Sequence, residues 1–250
     1  MQIRNLSYRE DGKTLFYNLN YSFEFGKIYG ILSLDPQAST ALLKLMSGIL
    51  TPVSGSILID GLNVHSTAPE IIKKSIGKSA FVFERLGLIS NLNVRENLLL
   101  PYNYVFPEMP HEEKLSVINT YFEKFRIPAG LLEERPAKLN SQVYKLSVLI
   151  RSFIIKPRVI LYDMPFTDLE MNAKKVLIDE ISEIRSREES LQIFYSNTDV
   201  MFDRADKGLV MQDGQFINEG PWDELFMSDD PQIRKIITNY LSIGLNETEI

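Results

Sequence analysis

The chain has 250 residues, 44% apolar and 24% charged, enough for one large domain or a core with a smaller lobe, and too evenly mixed for a disordered or fibrous protein. Asp and Glu number 33 against 27 Lys and Arg, a net charge of -6, and no basic block is present to neutralise a phosphate backbone, which argues against nucleic acid as a partner. The absence of cysteine removes a disulfide framework and a thiolate nucleophile, and two histidines far apart, His65 and His111, do not suggest a zinc site.

Met1 to Tyr8 and Thr14 to Phe25 are alternating or aromatic-rich runs parted by Asp11-Gly12, the pattern of antiparallel strands at a sheet edge. Ile28 to Leu34 is nearly continuous apolar sequence, as expected of a central strand covered on both faces. The loop SLDPQASTA follows, and then Leu42, Leu43, Leu45 and Met46 at helical spacing. Ser56 to Asp60 predicts a strand returning to the edge sheet, residues 66–79 a short helix, and Ala80 to Phe83 a second buried strand. From about Arg85 to Ser152 the periods are helical, with Leu115, Ile118, Tyr121 and Phe122 on one face of the segment His111 to Phe125.

Arg158 to Tyr162 is an apolar strand ending at Asp163, followed by a helix from Met171 to Arg185 and a strand from Leu191 to Tyr195. Gly208 to Met211 and Gln215 to Asn218 flank the hairpin signal Asp213-Gly214, and the sequence from Pro221 is helical. Strands and helices that alternate in this way predict an α/β fold with its ligand chemistry at the C-terminal ends of the strands. The division expected is an α/β core with an edge β-subdomain over 1–84 and 153–220, a helical subdomain over 85–152, and a helical tail over 221–250. The first residues carry no apolar leader, and no run approaches the roughly 20 apolar residues of a membrane span, so a membrane is expected to be reached only through a partner.

The loop at 33–41 has the strand, turn and helix context of a phosphate-binding loop but not its composition. In the pattern G-x-x-x-x-G-K-[ST] the corresponding residues are Ser33, Ala38, Ser39 and Thr40. The glycines that let successive N–H groups converge on phosphate are absent, Pro36 has no N–H, and neutral Ser39 replaces the lysine that offsets phosphate charge. Thr40 and Asp163 are the residues that could ligate Mg²⁺, directly or through water; alternatively Ser39 or Thr40 caps the helix and Asp163 ends a strand. Met164, after Asp163, cannot accept a proton as a base would. Tyr8 is either an adenine-stacking aromatic or an ordinary strand residue; Glu84 and Asn197 sit just beyond strands and are candidates for metal, partner or hydrogen-bonding contacts.

This order of segments resembles the ATP-binding domain of ABC transporters over nearly the whole chain. Tyr8 stands at the adenine-stacking position, and SLDPQASTA with LLKLMSGIL at the Walker A loop and its helix. GSILIDG (55–61) matches the family's turn and strand, and FVFERLGLISNLNVRENLLL its segment that senses the transmembrane partner, with Glu84 in place of the usual Gln. LNSQVYKLSVLIRSFIIKPRVILYDMP matches the signature helix through Walker B, with Leu139, Arg151, Pro157, Asp163 and Pro165 at family positions. The departures are concentrated in the chemistry: Leu139-Asn140-Ser141-Gln142-Val143 replaces LSGGQ, Met164 the catalytic Glu, Asn197 the switch His, and Glu170 the Asp after Leu169.

The resemblance implies a P-loop ATPase core and a head-to-tail pair of cassettes, each site joining one chain's phosphate loop to the other's signature. The expected function is a non-hydrolysing or severely impaired subunit on the cytoplasmic face of a membrane. Its partners would be an integral membrane permease, contacted through Glu84, Asn91, Leu92, Asn93, Val94, Arg95, Glu96 and Asn97, and a second ABC ATPase subunit in a homodimer or heterodimer. No cofactor is expected beyond weak residual Mg-ATP binding at Tyr8, Thr40 and Asp163. The alternatives are an active ATPase, with Lys44 or Arg151 supplying the missing cation, and a soluble regulatory module without a permease.

Overall fold

Four antiparallel strands, β1 (Gln2–Glu10), β2 (Lys13–Ser22), β4 (Ser54–Ile59) and β5 (Leu62–Asn63), form an edge sheet in the order β2-β1-β4-β5. The central sheet is built from β3 (Ile28–Ser33), β6 (Ser79–Val82), β7 (Val159–Asp163), β8 (Leu191–Tyr195), β9 (Lys207–Gln212) and β10 (Gln215–Gly220), ordered β10-β9-β3-β8-β7-β6. All its neighbours pair in parallel except β10, which returns antiparallel on β9. The computed structural model describes residues 1–68, 70–71, 78–84, 87–188, 190–196 and 204–246. The helix expected over 66–79 falls largely on residues 69 and 72–77, which lie outside the described residues.

The three Asp-Gly signals close hairpins. Asp11, Asp60 and Asp213 have φ of 47°, 48° and 49°, and the glycine after each is also positive, the backbone of a two-residue turn that matches strand twist. β2 ends at Ser22, three residues short of the expected Phe25, and the short β5 was not expected; the other strands sit within a residue or two of their predicted bounds, β6 running from Ser79 to Val82.

Side chains alternate across the central sheet, so each strand feeds two cores. Val159 and Leu161 of β7, with Leu191, Ile193 and Tyr195 of β8, face the edge sheet and helix α1 (Pro36–Met46). Ile160, Tyr162 and Phe194 face the opposite way, into a core shared with α2 (Val94–Val105), α3 (His111–Lys124), α4 (Ser141–Phe153) and α5 (Met171–Glu188). This second core runs without a break from the sheet to the helical lobe: Leu146, Leu149, Ile150 and Phe153 of α4 are buried in the same cluster as Leu177 and Ile181 of α5. The polar exception on that face is Gln192, fully buried and satisfied: Tyr162 Oη donates to its Oε1 (2.7 Å), and its Nε2 donates to the Ile181 carbonyl (2.8 Å).

The tail, α6 (Trp222–Phe226) and α7 (Pro231–Asn246), is fastened by a glycine seat. Gly30 of β3 and Gly208 of β9 are register partners, and the Trp222 ring lies over both. A Cβ on Gly30 would stand 2.6 Å from Trp222 Cζ2, and one on Gly208 2.6 Å from Leu225 Cδ1 and 2.9 Å from Trp222. Among the described residues, no helix is long and apolar enough to cross a membrane.

Gly208→Ala therefore overpacks a junction bounded by the Trp222 ring and the Leu225 side chain, and is expected to cost about 1–3 kcal/mol. Urea denaturation should show a lower midpoint with the slope unchanged.

Candidate functional site

The C-terminal ends of β3, β6 and β7 meet the N-terminus of α1, the crevice where doubly wound sheets hold ligands. Two of the predicted ligand residues come together there: Thr40 Oγ1 lies 2.9 and 3.0 Å from the two carboxylate oxygens of Asp163 and donates to them. Asp163 is 3% exposed. Burial pushes its carboxyl above the usual range and the nearby Glu84 charge adds to this, while the Thr40 hydrogen bond and the Lys44 and Lys145 charges oppose it. Tyr195, the register partner of Asp163, is pushed up by burial first and then by the Asp163 charge.

The loop in front of α1 is satisfied from within the chain. Asp35 is the helix N-cap: its Oδ1 accepts the Ala38 N–H at 3.0 Å, and its carbonyl accepts both the Ser39 N–H and the Ser39 hydroxyl at 3.1 Å. The Asp35 N–H in turn donates to Ser33 Oγ at 3.1 Å. Lys13 of β2 reaches the second carboxylate oxygen, Nζ to Oδ2 2.9 Å. The Asp35 carboxyl is raised by burial, but Lys13 and the N–H groups of Ala38 and Gln37 outweigh this and hold it below its ordinary value. An internal carboxylate thus takes up helix N–H groups of the kind that bind an anion. Fully buried Ser39, at the lysine position, is committed to this cap, whereas the hydroxyl of Thr40 goes to Asp163.

The remaining positions are drawn into the framework in similar ways. Tyr8 is 9% exposed within the core between the sheets, and its hydroxyl points to Glu10 at 3.3 Å, so its ring faces are taken up by packing rather than offered to a base. Asn140 caps α4 by accepting the Val143 N–H (2.8 Å), and Gln142 Oε1 accepts the Glu170 N–H (2.8 Å), so these signature positions make contacts within their own chain. Met164 has φ of 48° and packs against the core between the sheets. Asn197 lies outside the described residues.

Of the two cations considered from sequence, Lys44 acts on Asp163, whereas Arg151 is half-buried near the end of α4. The cation that sequence reasoning missed is Lys145, six residues earlier in α4 and 3% exposed. Its Nζ donates to the Phe83 carbonyl (2.9 Å) and the Glu84 carbonyl (3.0 Å). Burial lowers its pKa to about 8 against the pull of Asp163, Glu84 and Asp168. A lysine inside an otherwise apolar helix face was the available signal. Asp35 was likewise legible as Asp-Pro at a helix start.

The predicted partner segment divides into scaffold and surface. Asn93 and Glu96 form a reciprocal capping box at the start of α2, and Val94 is fully buried. Asn97 is also fully buried and ties the loop back: its Oδ1 accepts the Ile89 N–H (2.7 Å), and its Nδ2 donates to the carbonyls of Ile89 and Asn93. Leu92 is half-buried, and the half-buried Arg95 pairs with Glu133. Glu84 is half-buried; Asn91 and Glu96 are exposed, alongside Ile89, Leu100 and Tyr104, which sequence reasoning did not select. Glu96, Leu100 and Tyr104 recur every four residues along one face of α2.

Residues 16–167 match the family model described as ABC transporter. The chain belongs to that family. It is 27% identical over 226 residues to the molybdate/tungstate import ATP-binding protein WtpC of Archaeoglobus fulgidus, covering 89% of each chain. It is 23% identical over 239 residues to the intermembrane phospholipid transport system ATP-binding protein MlaF of Escherichia coli, covering 95% of this chain and 88% of that one. With the Fe(3+) ions import ATP-binding protein FbpC of Photobacterium profundum it shares 24% identity but spans only 62% of that protein's length. Among solved structures, a dimeric ATP-binding cassette bound to ADP and phosphate in a post-hydrolysis state superposes with a TM-score of 0.78 at 18% identity, covering 88% of this chain and 98% of that one. The α/β architecture with edge-sheet and helical subdomains is therefore that of ATP-binding cassettes.

Asp35→Ala is expected to cost about 1 kcal/mol near neutral pH through loss of the cap. Because the folded carboxyl titrates below its unfolded value, its stabilisation is present above the unfolded pKa of about 4 and lost as pH falls through the folded one. Native and variant stabilities measured by denaturation should thus converge in acid.

Proposed function

We propose that this chain is a non-hydrolysing cassette subunit, one that pairs with a second cassette and with a membrane permease and passes conformation between them. The observation that carries the reading is the Asp35 carboxylate on the Ala38 N–H, backed by Ser39 where a lysine is needed. A triphosphate would have to displace that carboxylate and would meet no lysine in return. Mg²⁺ would have to draw the Thr40 hydroxyl away from Asp163. The residues as arranged do not fit Mg-ATP. Met164 removes the base, and Asn140 and Gln142 replace the donors that the signature would offer a partner's nucleotide.

A permease partner is supported by the names of the relatives, which are ATP-binding proteins of import and phospholipid transport systems. The exposed face of Ile89, Asn91, Glu96, Leu100 and Tyr104 is the surface proposed for it. Such a chain would sit on the cytoplasmic side of a membrane, held there by protein contacts.

The second reading, an ATP-binding subunit with turnover, is favoured by those same names and by the closeness of Thr40 and Asp163. Calorimetry with Mg-ATP and a phosphate-release assay separate the two. The proposal expects no resolvable heat and release at the buffer rate for the native chain, and no recovery on Met164→Glu alone. Sub-millimolar binding with turnover abolished by Asp163→Asn would establish the second reading instead. Mild-detergent purification from native membranes should bring an integral membrane subunit with the chain; its absence would favour a regulatory module.

A further inference from the structure

Among the described residues, several polar contacts join the helical lobe to the rest of the molecule. Lys145 of α4 holds the carbonyls of Phe83 and Glu84 just past β6, and Gln142 of α4 accepts the N–H of Glu170 at the approach to α5. On the far side of the lobe, Tyr121 Oη donates to Glu180 Oε1 (2.9 Å), and Lys124 bridges Glu180 and Glu183 of α5. Glu180 is fully buried. Of these ties, Lys145 alone reaches toward the Asp163 crevice, where its charge acts on Asp163, Glu84 and Asp168.

We infer that the Lys145 ammonium serves as a built-in cation that fixes the helical lobe to the Phe83–Glu84 segment, so that the lobe keeps one orientation whether or not nucleotide is present. Two main-chain carbonyls accept from one buried ammonium, whose charge also acts on the buried Asp163, and an apolar side chain here would leave both carbonyls without this donor. The contact also lies on the path between the two functional regions. Glu84 leads toward the Ile89 to Asn97 segment, and α4 begins at the signature positions Asn140 to Gln142. Held in this way, the lobe, which carries both the proposed permease face and the signature end, keeps its orientation to the end of β6. The inference extends the proposed function without depending on it, since the pin would act even if the phosphate loop opened.

The chain has no cysteine, so a reporter pair can be introduced cleanly. Asn119→Cys on α3 and Thr51→Cys beyond α1 are both exposed sites, suited to spin labels whose separation reads the lobe against the core. The labelled, otherwise native chain should give one narrow distance distribution, unchanged by millimolar Mg-ATP. Lys145→Met should broaden it and speed amide exchange at Glu84 by roughly tenfold, the effect of losing a charge-assisted hydrogen bond. If that variant does not fold, Lys145→Gln, too short to reach both carbonyls, carries the same readout. A native distribution that shifts with Mg-ATP, or a Lys145 variant that folds with native distances and exchange, would overturn the inference. Mg-ATP binding without a distance change would instead defeat the phosphate-loop reading and leave the pin standing.

Discussion

Burying the Asp163 carboxylate at the end of β7 is the constraint around which the site is organised. A carboxylate taken out of water costs several kcal/mol unless hydrogen bonds and opposite charge compensate it. Thr40 supplies the hydrogen bonds from α1, while Lys44 and Lys145 supply charge from α1 and α4. Helix α1 is thereby drawn to the same point as α4 and β7, more than ninety residues further along the chain.

The same economy governs the neighbouring loop. Helix α1 presents N–H groups that must be satisfied, and Asp35 with Ser39 satisfies them locally instead of leaving them to an external anion. Asn140 does likewise for α4, and Asn93 for α2. Short polar residues are good caps because their oxygens reach back one turn, and each one used as a cap has less capacity left for a ligand. Packing requires that the helix ends be capped, and it makes no demand on what caps them.

Much of the framework was legible beforehand. Asp-Gly turns, the apolar runs of β3, β7 and β8, and the amphipathic period of α3 each depend on neighbours within a few residues, so local sequence carries them. The site was less legible. Tyr8 fits an adenine-stacking position as well as a strand position, and only the packing of the second sheet against the first decides that its ring is enclosed. Lys145 carries no motif; its role depends on the end of β6 passing beside α4, a contact between residues about sixty apart in sequence. Leu100 and Tyr104 look like core residues at helical spacing until the neighbours of α2 are placed and this face is left outside.

What the sequence determined by itself was the α/β class, the hairpins, the family resemblance, and the identity of the residues, Ser39 and Met164 among them, that stand where the resemblance sets the lysine and the base. These are properties of residue identity and short-range order. The tertiary structure decided where the released polar capacity went: Asp35 onto its own helix, Thr40 onto Asp163, Lys145 onto the backbone beyond β6. Hydrogen bonds and buried charges are satisfied in space, and the chain's folded path sets which groups come within reach.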